Sequence, residues 1–339
     1  MAVHVREANL VDDAGILREL AEVHLSADAD DKRFHWLYRD NPFGPARAWI
    51  ACQQGGDPIG MAALFPRRMY RNGEVVLGCV LGDFCVSPQY RSAGAALQLQ
   101  RACLACARSD EFAVAYDFPS RKMVSIYQHL GIAPMGNSIR LAKTLRAEQK
   151  IASALPASVL SRPVATALNF ALALEDRKTP HKAGLDFRLQ GETCSSEYSE
   201  LARQVGSSMG ICTMRTAEYL NWRYGHHPHL KYEVLTARRD NALLTYCIFT
   251  VSDGNATVVE LFGDMGRSAV TGLLRELAKM LRVRGIATIN TSVLSDDPRI
   301  PLLRKLGFWP REEVPVIGFA RDTALSSSQM FLMHGDRES

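Results

Sequence analysis

The string SPQYRSAGAAL, Ser87 to Leu97, follows the apolar run VVLGCVLGDFCV and opens a segment with helical spacing. A strand-like run that ends at Pro88 and turns into a helix leaves several backbone N–H groups unpaired at the helix N-terminus. Behind Arg91, the residues Ser92, Ala93, Gly94, Ala95 and Ala96 are small enough for a ligand to reach that backbone. Such a start suits a phosphate or pyrophosphate, and the same residues also make an ordinary helix start. Further on, in SRKMVSIYQHLGI, Met123, Ile126, Tyr127 and Leu130 recur at helical intervals, so the Tyr127 phenol faces inward or toward a cleft.

Two other groups have the residue types of metal or redox chemistry. Cys103 and Cys106 form a CxxC, but they sit in the helical pattern LQLQRACLACAR with no second cysteine pair to complete a zinc site. His226, His227 and His229 crowd a short HHPH turn without a nearby cysteine or matched carboxylate. Both read as structural, and no metal is expected.

The elements that position these residues come in two copies. FHWLYRDNP matches YLNWRYGHHP, with Trp36, Tyr38 and Pro42 at the spacing of Trp222, Tyr224 and Pro228. Each copy is followed by two apolar runs flanking a polar turn, AWIACQQGGDPIGMAALF and YEVLTARRDNALLTYCIFTV, which read as β-hairpins. LGIAP at Leu130 to Pro134 matches LGFWP at Leu306 to Pro310, each after a short helix starting near Pro119 or Pro298, with Gly131 or Gly307 where a helix stops. Upstream, VHVREANLVDDAGILRELAEV and LDFRLQGETCSSEYSELARQV each read as strand, turn and amphipathic helix. Val270, Leu273, Leu274, Leu277 and Leu281 form the apolar face of a further helix that Gly285 ends. The spacing therefore predicts an α/β (α+β) fold in two tandem domains, residues 1–146 and 185–339. An Ala- and Pro-containing helical linker, residues 147–184, joins them. Trp36 and Tyr38 read either as packing between the halves or as a platform for a substrate, with Asp40 and Asn41 able to meet a polar group.

The totals agree with this outline. The 339 residues suit about two domains of roughly 150 residues each, and 47% hydrophobic content supplies buried cores. A net charge of +4 with no dense basic block does not imply nucleic acid. No stretch of about 18 apolar residues occurs, so no stable membrane insertion is expected. The charged N-terminus lacks a signal-peptide core, and the eight cysteines sit mostly in apolar periodic segments, as in a reduced, cytoplasmic protein.

From about residue 3 to 146 the first copy resembles the GNAT superfamily of acyl-CoA-dependent N-acyltransferases. VREANLVDDAGIL resembles that family's first strand and helix. FCVSPQYRSAGAA resembles its central strand and pyrophosphate loop, usually R/Q-x-x-G-x-G/A and here Arg91 to Ala96. SRKMVSIYQHLGI resembles its last helix, with Ser120, Tyr127, Gly131 and Ile132 at the signature positions. Ser120 stands where an Asn is usual, and Ala96 where Gly is common. The resemblance implies two GNAT-like domains, each a mixed, mostly antiparallel sheet flanked by helices. It also implies acetyl-CoA, or another acyl-CoA, as co-substrate. Phe84, Cys85 and Val86 would meet the pantetheine arm, with the thioester between Val86 and Tyr116. Tyr127 would be the acid for the leaving thiolate. Asp83 and Asp117 are candidate bases for the amine, Asp117 lying on the substrate side with Trp36 and Tyr38.

The second copy lacks the loop string, and Leu303 stands where the first has Tyr127. One working site in a tandem pair is similar to mycothiol-synthase-like enzymes and the FemABX type in architecture alone. The expectation is acyl transfer to a small-molecule amine acceptor, by a monomer or a homodimer. A FemABX-like aminoacyltransferase and a non-catalytic acyl-CoA sensor or scaffold are the alternatives.

Overall fold

The computed structural model describes residues 3–90, 94–146, 184–191, 193–264, 266–321 and 323–338. The expected linker falls almost wholly outside them. In the first half, β1 (Val3–Glu7) is followed by α1 (Ala14–His24), whose Leu17, Leu20 and Ala21 face the core. A short helical stretch, Asp31–Phe34 running into the π-helical turn His35–Arg39, precedes the meander β2 (Arg47–Gln53), β3 (Pro58–Arg71) and β4 (Glu74–Val86). The helix Ala95–Ala107, β5 (Val114–Asp117), the helix Arg121–His129 and β6 (Gly136–Thr144) complete it.

The second half repeats the plan. Its strands are β7 (Asp186–Gln190), the short β8 (Ile211–Thr213), β9 (Glu233–Arg239), β10 (Ala242–Ser252), β11 (Asn255–Gly263), β12 (Thr288–Leu294) and β13 (Trp309–Ala320). In the helix Arg267–Val283 the expected apolar face, Val270, Leu273, Leu274, Leu277 and Leu281, is buried. Gly131 and Gly307 both adopt positive φ, at 76° and 83°, and end their helices as the matched strings require.

The halves share one sheet. Its order is β1-β2-β3-β4-β5-β13-β6-β12-β11-β10-β9-β7, which reads as the same six-strand series from either end with the last strands exchanged. β6 leaves its own half to run antiparallel to β12, from Thr144 opposite Thr288 to Ser138 opposite Leu294. β13 in return pairs with β5 through Ile317 to Phe319, and β6 and β13 pair with each other at the centre.

The repeated tryptophans close the seam reciprocally. The Trp36 indole N–H donates to the Trp222 carbonyl at 2.8 Å, and that of Trp222 to the Trp36 carbonyl at 2.9 Å. Their rings stack with centroids 5.3 Å apart. Each buried indole N–H thus finds the acceptor it needs in the other copy. One apolar core runs through both halves, while the face of the first half's sheet under Ala95–Ala107 forms a separate cluster that includes Tyr127. Among the described residues no helix is long and apolar enough to cross a membrane.

Candidate active site

A local defect in β4 opens the site. Asp83 has φ of 43°, unusual for a residue with a side chain, and the pairing of β4 with β3 slips there, between Met61 opposite Cys85 and Ala63 opposite Gly82. Such a bulge turns a strand away from its neighbour. β5 pairs with β4 only at Gly78 to Val80, so Phe84, Cys85 and Val86 lie beyond the paired stretch. Beyond β4, Gly94 caps the helix Ala95–Ala107 in the left-handed conformation, φ 76°, and as a glycine it offers no side-chain cap to the first N–H groups. Among the described residues, a Cβ built at Gly94 would meet no atom within 4 Å. Arg91, Ser92 and Ala93 lie outside the described residues. Ala95 is buried beneath the helix start and Ala96 is partly covered. These features fit an anionic, extended co-substrate: helix-start donors for a pyrophosphate and a strand that β5 does not pair beyond Val80 for an amide-bearing arm.

Tyr127 sits on the helix Arg121–His129, which Ser120 caps by accepting the Met123 N–H at 3.3 Å. Its hydroxyl, fully buried, donates to Asp117 Oδ2 at 2.6 Å. Burial, reinforced by the Asp117 charge, holds the phenol well above its ordinary range, so it stays protonated. Asp117 is itself raised to about 7 by burial and by the neighbouring Glu338 carboxylate. Asp83 is committed differently. Arg33 grips it through two bonds of 2.8 Å, and the buried Tyr38 hydroxyl adds a third of 2.8 Å. Trp36 stands at the seam, stacked on Trp222, and lines the same cavity as Arg33.

The sequence reading missed the segment that finishes the site. Residues 333–338, from the second half, thread between the copies into the first. A Cβ on Gly82 would come within 2.3 Å of the Glu338 side chain, so only glycine beside the bulge admits it. Arg337 lies over the Phe118 ring at 4.6 Å, and Tyr116 on β5 donates to the Asp336 carbonyl at 3.0 Å. Arg223 holds the carbonyls of Gly335, Arg337 and Glu338 at 3.3, 2.7 and 3.2 Å. Burial, and then the Asp83 charge, raise the Glu338 carboxyl. Against this segment lies a cavity of about 330 Å³ between the halves, lined by Arg33, Trp36, Arg223, His227, Tyr232 and His334 among others. His227 Nδ1 accepts the backbone N–H groups of His229 and Leu230, at 3.2 and 3.1 Å, which leaves its proton on Nε2. Burial and Arg223 lower it to about 3, and burial lowers His334 to about 4, so both imidazoles are neutral near pH 7.

Residues 4–135 match the family model described as acetyltransferase (GNAT) domain. The first half is a GNAT domain. Solved structures share the fold of the whole chain. A GCN5-related N-acetyltransferase from Anabaena variabilis superposes with a TM-score of 0.68 at 13% identity, over 95% of this chain and 73% of that one. A probable N-acyltransferase from Enterococcus faecalis gives 0.66 at 10% identity over 95% and 73%. A tandem GNAT protein from the clavulanic acid biosynthesis pathway gives 0.58 at 15% identity over 96% and 100%. At such identities the likeness is one of fold. No curated protein sequence matches the chain. The second half is thus a second GNAT-like domain, and in it the position of Tyr127 is taken by the buried Leu303.

Proposed function

We propose that this GNAT domain transfers an acyl group, acetyl in the simplest case, from acyl-CoA directly to the amine of a small polar acceptor. The observation that carries the reading is the buried Tyr127–Asp117 pair, 2.6 Å apart, where β5 ends beside the bulged strand. Acyl-CoA, when bound, supplies an activated thioester carbonyl. The start of Ala95–Ala107, with Arg91 to Ala93 before it, holds the pyrophosphate, and Phe84 to Val86 hold the arm. Ser120 acts by fixing the helix that carries Tyr127. The acceptor enters through the chamber between the halves, where Trp36 and the two neutral imidazoles offer apolar surface and uncharged hydrogen-bonding groups. Tyr38 lies behind that wall and keeps Asp83 oriented.

The proton balance follows from the site. As the C–N bond forms and the C–S bond breaks, the nitrogen must lose a proton and the sulfur must gain one. Asp117 and Glu338, both raised toward neutrality, are suited to take protons from the amine. Asp83, held by three hydrogen bonds, serves as the fixed negative charge that draws an ammonium inward. Tyr127 delivers its phenolic proton to the departing sulfur and is reprotonated through Asp117.

The test is Tyr127→Phe. Acetyl-CoA binding by calorimetry should be unchanged, while turnover on an amine found by screening should fall by roughly 10²- to 10⁴-fold. Near wild-type turnover in the Phe variant would make Tyr127 a packing residue. Binding of acetyl-CoA with no turnover on any amine would favour a ligand sensor.

A further inference from the structure

The second half keeps a counterpart of the Tyr38–Asp83 pair that the first half's chemistry does not use. Tyr224, at the repeat position of Tyr38, donates to Glu260 Oε1 at 2.9 Å. Glu260 follows the bulge of β11, where pairing slips between Ile248 opposite Glu260 and Phe249 opposite Val258. The corresponding space is filled by the protein itself. A Cβ on Gly335 would lie 1.9 Å from the Tyr224 hydroxyl and 3.0 Å from Glu260 Oε1. Asp336, next in the chain, turns the opposite way: its Oδ2 accepts from Arg215 at 2.6 Å and from the Met333 N–H at 2.8 Å. Arg215 also meets Glu260 at 3.1 Å, and all three ionic side chains are fully buried.

The charges around this socket balance only when the segment is in place. Arg67 is a second fully buried guanidinium, lying over the rings of Tyr219 and Trp222 at 5.9 and 5.5 Å. Its charge and that of Asp336 act on the same two phenols, Tyr116 and Tyr219. Among the described residues its Nε and Nη2 have no protein partner, nor do Asp336 Oδ1 and the Tyr219 hydroxyl. With Asp336 present, the buried guanidiniums of Arg67, Arg215 and Arg223 are set against the carboxylates of Glu260, Asp336 and Glu338. Remove its charge, and three cations are left against two anions, a state that burial strongly penalises.

We infer that the second half has turned its own active-site position into a charge-locked socket, with Asp336 as the positioning residue that holds Glu338 in the first half's acyl-transfer site. The link is direct: Glu338 is two residues beyond Asp336, and Arg223 ties down the carbonyls on both sides of it. This inference rests on the acyl-transfer reading for its catalytic part, whereas the lock itself is a property of the fold.

Asp336→Asn, alone and combined with Arg67→Met, tests it. Asparagine keeps the shape and the acceptor for Met333 but removes the balancing charge, and removing the Arg67 charge restores balance. The single variant should speed amide deuterium exchange in residues 333–338 at least tenfold. It should also lower kcat/KM for the acceptor at least tenfold, with the Kd of acetyl-CoA within twofold of wild type. The double variant should recover both. Unchanged exchange in the single variant, or no recovery in the double, overturns the inference; a purely structural role would lower stability in both variants without the charge-specific rescue. Should the single variant fail to fold, the double variant against wild type decides alone, since it must then fold with residues 333–338 protected. If wild type fails to bind acetyl-CoA, the acyl-transfer reading falls, and the exchange measurements still decide the lock.

Discussion

Replacing Asp117 by asparagine should make the protein more stable, and only above mildly acidic pH. In the folded chain burial and Glu338 raise the Asp117 carboxyl to about 7 from its usual 3.8. Between those values the folded protein keeps a proton that the unfolded chain has released, so stability falls as pH rises through the window. A separation of about 3 units corresponds to about 4 kcal/mol, at 1.36 kcal/mol per unit, reached above pH 7 and absent below pH 4. The substituted amide does not titrate, yet its carbonyl oxygen can accept the Tyr127 hydroxyl, so the hydrogen bond survives. Urea unfolding of both proteins at intervals from pH 4 to pH 8 reads the difference, since other titrating groups are shared and cancel. A stability difference that stays flat across this range, or a wild type more stable than the variant at pH 8, would refute the assignment of Asp117 as a buried, raised carboxyl.

Gly94→Glu should abolish measurable acetyl-CoA binding in calorimetry, because it places a side chain at positive φ and adds negative charge at the helix start; unchanged affinity would dissociate the helix start from the co-substrate. Residues 1–146 expressed alone should aggregate or melt well below the full chain. β6 then loses β12 and β13, and β5 loses the partner that covers its outer edge. A soluble fragment of equal thermal stability by calorimetry would show that the strand exchange is dispensable.

Much of the scaffold is legible in the sequence because it depends on local periodicity. The apolar face of Arg267–Val283, the left-handed glycines after the matched helices, and the paired Trp-x-Tyr strings all follow from spacing within about ten residues. The exchange of β6 and β13 does not. GNSIRLAKT can pair with the edge of either half, and only the complete sheet decides which. The site divides in the same way. Tyr127 is visible through helical spacing and family resemblance, and the small residues after Pro88 through their composition. Its partner Asp117 lies on another element, and the grip of Arg33 on Asp83 spans fifty residues of chain. Least legible is the segment HGDRE, which has no period, no glycine-rich loop and no resemblance to guide a reader. Its signal is the cost of burying Asp336, a quantity that exists only once Arg215 and Glu260 surround it.

The reciprocal tryptophan bonds and the exchanged strands have the form of an isologous homodimer whose two subunits have been joined into one polypeptide. Covalent fusion removes a constraint that a true dimer cannot escape. In a symmetric pair every substitution appears twice, so no subunit can lose its acid without its twin losing it too. It also means two copies of every segment, one for each cleft. This chain has a single copy of residues 333–338, and that copy reaches both halves, packing Gly335 against Tyr224 and Glu260 in one and Glu338 against Gly82 in the other. The asymmetry between the halves is therefore built into the connectivity: a single bridging segment fills one cleft and lines the other, and cannot do the same for both.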